Sequence, residues 1–157
     1  MEALAHVCSW LAATAISQDL QSVGWVVPTV QSVHILGIAM VVAPTILMDL
    51  RLLGVGGEGP PVARLFASLM PVVWWALLAL LLSGLLLIVA EPRRELLNVM
   101  FWSKMALLAV ALTVTAGLQR WSKINAPSTP PGVRAAALLS LALFVAIIGC
   151  GRWIAYV

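Results

Sequence analysis

Gln31-Ser-Val-His34-Ile-Leu-Gly37-Ile-Ala-Met-Val-Val-Ala-Pro44-Thr45-Ile-Leu-Met-Asp49-Leu-Arg51 is the stretch that decides the fold. Between Asp19 and Asp49 the only side chain able to ionise is His34. A bilayer core needs roughly 20 consecutive apolar residues in a helix, and this run supplies them, from about 25 to 50. On a helical wheel Gln31 and Asp49 superimpose, with His34 and Thr45 within about 60° of the same line. Four polar side chains on one stripe of an otherwise apolar helix are expected to face other helices, because lipid offers no hydrogen-bond partner.

Working outward, three more uncharged runs, 65–90, 105–119 and 135–151, lie within or around spans read at about 71–89, 102–119 and 135–154. Trp25, Trp74, Trp75, Trp102, Trp121 and Trp153 stand at or near the predicted ends, where an amphipathic ring sits best. Glycine- and proline-rich connections separate the spans, from Gly54 to Pro61, from Glu91 to Arg94 and from Asn125 to Gly132. Residues 3–17 read as an amphipathic interfacial helix. Its apolar stripe is Leu4, Val7, Cys8, Leu11 and Ala15, and Glu2, His6, Ser9 and Ser17 lie opposite. The expected fold is therefore an all-α membrane protein, a single domain over residues 1–157. It is an up-down bundle of four transmembrane helices preceded by a short interfacial helix.

Composition agrees. The 157 residues are 62% hydrophobic and 10% charged, far from the balance of a soluble domain. Two cysteines cannot form a disulfide framework, and a Cys8–Cys150 bridge is not expected. The net charge of +3 is scattered, which argues against nucleic acid. The lipid bilayer is the expected surrounding, with room for a redox or membrane partner protein and for a homo-oligomer. No basic leader with a cleavage site precedes the first span. Arg51 and Arg64 follow that span and no basic residue precedes it, so both termini are expected on the periplasmic side.

An intramembrane histidine is a functional candidate by default. Neutral imidazole at His34 could ligate haem iron, bind another metal or relay a proton. It could equally hold two helices together by a hydrogen bond. Gly37, one turn on, leaves room where a flat macrocycle could approach. Lys104 and Arg152 open the third span and close the fourth, where they could receive the carboxylates of a haem or simply snorkel to the interface. Met105 could offer a thioether or fill a gap, and His6 belongs to the polar stripe of the first helix. Asp49 and Arg51 read as an interfacial ion pair or cap. The sequence has no phosphate-loop, zinc-helix or nucleophile-elbow motif.

Trp10-Leu…Ser17, Pro28…Ser32-Val-His34-Ile-Leu-Gly37-Ile-Ala, Asp49-Leu-Arg51-Leu-Leu-Gly54, Asn98…Phe101…Lys104 and Gly151-Arg152-Trp153-Ile-Ala-Tyr156 together resemble a bacterial family of four-span membrane proteins of unknown function. The arrangement is more distantly similar to four-helix b-type haem proteins and membrane protoporphyrinogen oxidases. That second likeness implies haem b with His34 as axial ligand, and Arg51, Lys104 and Arg152 as further counterparts. It implies electron transfer or haem and porphyrin redox chemistry in a bacterial inner membrane. Leu118-Gln119-Arg120-Trp121 stands near the end of the third span, where the closer family often has a histidine. The alternative function is a non-catalytic subunit or small-ligand-binding bundle, with Gln31, His34, Thr45 and Asp49 as a structural polar network.

Overall fold

A computed structural model describes residues 2–55, 60–124 and 128–154. Parts of the first and third loops, and Tyr156, lie outside the described residues, as does the Leu4 side chain. The described chain is helical: α1 Glu2–Ala12, α2 Ala15–Ser22, α3 Val26–Leu52, α4 Val62–Ala90, α5 Pro92–Leu96, α6 Val99–Ser122 and α7 Pro131–Ile154. Four of these, α3, α4, α6 and α7, are long and apolar enough to cross a membrane. The expected four-helix bundle is what the chain forms.

Each long helix buries only a narrow stripe. On α4 that stripe is Phe66, Met70, Val73, Ala76, Ser83 and Ala90, at three-, four- and seven-residue steps. Trp74, Trp75, Leu81 and Leu82 point outward from the same helix. A helix apolar all round but buried on one side requires an apolar solvent for the rest. Helix α3 packs chiefly on α4 and α6 on α7; α3 against α7 joins the two hairpins. The shared core includes Val41, Met48, Leu52, Phe66, Ala111, Leu118 and Phe144.

Several boundaries differ from the sequence expectation. The second long helix begins at Val62, after Pro61 at its N-cap, and Pro71 lies inside it. Trp74 and Trp75 are therefore about three turns into α4 rather than at its end. The predicted single helix over 3–17 is broken at Ala13 and Thr14, because the Thr14 hydroxyl accepts from Ser17 N (3.4 Å) and caps a second helix. Ser17, placed on the solvent stripe by periodicity, is fully buried as a result. Val7, placed on the apolar stripe, is half exposed.

These first helices are tied to the bundle. Gln21 Nε2 donates to Ala90 O (2.7 Å), and so covers a carbonyl left open at the end of α4. The Cys8 thiol approaches Pro92 O at 3.6 Å.

Helix α3 ends in a Schellman motif. Gly54 takes φ +83°, its N–H bonds to Arg51 O (3.2 Å), and Val55 N–H bonds to Leu50 O (3.0 Å). A side chain at this φ is strained, so Gly54→Ala is expected to lower stability by about 1 kcal/mol. Thermal unfolding in detergent checks this, with Gly117→Ala, at an exposed helical glycine, as the control that does not lose stability.

Candidate functional site

His34 lies eight residues into α3, about 12 Å along the helix axis from its start. Its Nδ1 is 2.8 Å from Ser83 Oγ on α4. Ser83 is buried, and its hydroxyl donates to Ala79 O at 2.8 Å. A hydroxyl has one proton, and with that proton on Ala79 O Ser83 accepts in its contact with the imidazole and Nδ1–H is the donor. In the neutral ring the lone pair is then on Nε2, for which no hydrogen bond is formed among the described residues. The ring packs over Gly84, where an added Cβ would meet His34 Cε1 at 3.5 Å.

Lys104 on α6 is close enough for its charge to act on the His34 ring. Glu95 of α5 and Cys150 of α7 lie near the same ammonium. Elements far apart in sequence therefore converge at this end of the bundle. Arg152, in the last turn of α7, is exposed two residues beyond Cys150. Met105 is half-buried on α6 and His6 is exposed on α1. Cys8 and Cys150 are free thiols.

Gly37 faces α4. A Cβ there would come within 3.0 Å of Leu80 Cδ2 and 3.1 Å of its Cγ, so the notch receives Leu80 from α4. The missing side chain serves close approach of α3 and α4 directly below the His34–Ser83 bond.

The rest of the polar stripe divides by depth. Gln31 is half-buried, while Thr45 and Asp49 are 2% and 1% exposed. Thr45 Oγ1 donates to Val41 O (2.7 Å). Asp49 is a core residue rather than an interfacial one, and Oδ2 has no hydrogen-bond partner among the described residues. Arg51 reaches the loop, with Nη2 donating to Pro60 O at 3.3 Å. Sequence reasoning missed Ser83, a lone hydroxyl in a leucine-rich run. It also missed Ser140, fully buried on α7. Small polar residues buried on apolar helices carry no periodic signal of their own.

Glu95 is half-buried, and burial raises its carboxyl above the ordinary glutamate range. Lys104 and Arg94 act against that rise, and Glu91 adds to it. The folded chain thus takes up a proton at a higher pH than the unfolded chain. Stability is expected to grow as pH falls from neutral through the raised value, and to level off below the unfolded one. Glu95→Gln should flatten that part of a thermal-stability profile against pH; an unchanged profile would assign it elsewhere.

The chain belongs to DUF6644, a family of unknown function whose model matches residues 9–157. No curated protein and no solved structure matches it.

Proposed function

We propose that this chain is a membrane protein that holds haem b through His34 Nε2, for electron transfer or haem and porphyrin redox chemistry. The observation that carries the reading is the 2.8 Å contact between His34 Nδ1 and Ser83 Oγ, in which Ser83 can accept Nδ1–H. A histidine that ligates metal through one nitrogen ordinarily donates the other N–H to a fixed acceptor, which sets both tautomer and ring orientation. Ser83 is such an acceptor, itself held by Ala79 O. Lys104 offers a cation near the ring, and Arg152 is another basic residue at this end of the bundle. Together they suit the carboxylates of a porphyrin. Leu80 occupies the notch at Gly37, so the ligand face is restricted to the side of the ring away from that contact. When bound, the haem would supply one-electron chemistry.

The setting proposed is a bacterial inner membrane, with the α5 end of the bundle and both termini in the periplasm. Arg51 and Arg64 beyond the first span support that orientation. A visible absorption spectrum with iron analysis of protein purified after haem-replete expression tests the reading. A Soret band with iron near one per chain is expected, and colourless, iron-free protein overturns it.

A second reading rests on the same bond. His34 and Ser83 tie α3 to α4, and Leu80 seats in Gly37 below them, which suits a polar lock in a non-catalytic subunit. That reading predicts no chromophore and a His34→Ala variant that loses assembly or thermal stability.

A further inference from the structure

At the opposite end of the bundle from His34, a second polar pair is buried, with Asp49 Oδ2 and Ser140 Oγ unpartnered among the described residues. Asp49, one turn before the end of α3, is 1% exposed, and Ser140 on α7 is fully buried. Neither Asp49 Oδ2 nor Ser140 Oγ has a hydrogen-bond partner among the described residues. Ser140 is nevertheless the polar neighbour of the Asp49 carboxyl. The two lie across the contact between α3 and α7 that joins the hairpins.

Among the described residues the charged groups at this end besides Asp49 are Arg51 on α3, Arg64 on α4, Arg120 on α6, the exposed Lys123 at the α6 C-cap and Arg134 on α7. Arg64, Arg120 and Arg134 are exposed, and Arg51 reaches toward Pro60. An ionised carboxylate inside an apolar core needs donors for its oxygens. Asp49 Oδ2 receives no hydrogen bond among the described residues, and the Ser140 hydroxyl beside the carboxyl is not in bonding geometry. A carboxyl that keeps its proton needs less and gains a donor of its own, for which the Ser140 oxygen is an acceptor.

We propose that Asp49 and Ser140 form a proton-binding site between α3 and α7, in which the Asp49 carboxyl carries an exchangeable proton. Its position near the end of α3 puts it about one helical turn from the first loop, so exchange is with the aqueous side that the loop faces. Binding is simple addition: a carboxylate oxygen and a proton give the acid, and Ser140 accepts or donates without bond cleavage. The site does not depend on the ligand state of His34.

The test is pH-difference infrared spectroscopy of the full chain in vesicles of neutral phospholipid. A protonated-carboxyl carbonyl band is expected that shifts in heavy water, persists in Glu95→Gln and disappears in Asp49→Asn. Its amplitude should change about tenfold per pH unit on the far side of the midpoint. Asp49→Glu should retain the band, and Ser140→Ala should displace its frequency or midpoint. A wild-type spectrum with no such band, or a band unaffected by Asp49→Asn in protein of native helicity, overturns the proposal. If Asp49→Asn fails to fold, the Asp49→Glu band shift decides, and an unshifted band overturns it. Replacing choline chloride with sodium chloride separates the ligands. Loss of the band in sodium alone would make this a metal-cation site and overturn proton binding.

Discussion

His34→Ala is expected to remove the Soret band completely, leaving purified protein that retains its helicity. The loss should be all-or-none, because no second histidine lies within the spans and Nε2 is the lone pair presented there. Ser83→Ala separates the two readings of the histidine. It leaves the ring in place but takes away the oxygen that fixes Nδ1–H as the proton-bearing nitrogen. Loss of such an outer partner typically weakens metal binding by about 10- to 100-fold. A haem protein therefore keeps its spectrum at saturating haem in Ser83→Ala and loses it on dilution. If His34 served only to join α3 to α4, both variants would lower the thermal midpoint and neither would alter absorbance. Spectra and unfolding curves on the same three proteins decide between these outcomes.

Phe66→Ala carries the largest expected effect on stability, a loss of about 3–5 kcal/mol. The ring is 2% exposed and belongs to the core shared with Met48, Leu52 and Met70. In lipid the driving force is the loss of dispersion contacts rather than release of water, because tails are as apolar as the core. Trp74→Ala removes a larger ring from the same helix, but that ring is 54% exposed. Its effect on unfolding in detergent should stay within about 0.5 kcal/mol. Equal losses in the two variants would mean that α4 packs by a different face from Phe66, Val73 and Ala76.

The contrast between Phe66 and Trp74 also shows what the sequence can and cannot convey. Span number followed from runs without charge, since bilayer thickness fixes how long such a run must be. Burial within α4 did not, because Leu, Val and Trp are equally at home against lipid and against protein. The inner-facing stripe was legible on α3, where Thr45 and Asp49 break the apolar run and both are buried. His34 was singled out for the same reason, whereas its partner Ser83 was not. One hydroxyl can satisfy itself on its own helix, as Ser83 also does at Ala79 O, so its presence in a span signals little. Gly37 illustrates the converse. A missing side chain announces close approach, but only three-dimensional packing names Leu80 as what approaches. The second span reads at about 71–89 from its uncharged run, whereas α4 begins at Val62. Pro71 is accommodated inside α4, while Pro61 precedes it.

The amino-terminal helices are made first but cannot settle first. Their anchors, Ala90 O for Gln21 and Pro92 O for Cys8, lie 69 and 84 positions later in the chain. During synthesis both segments must wait until the second long helix has left the ribosome. Closure of this end of the molecule is thus a late event, set by chain order rather than by the strength of either contact. A truncation that stops before Ala90 would leave Gln21 and Cys8 without these two acceptors, however well the first span had inserted.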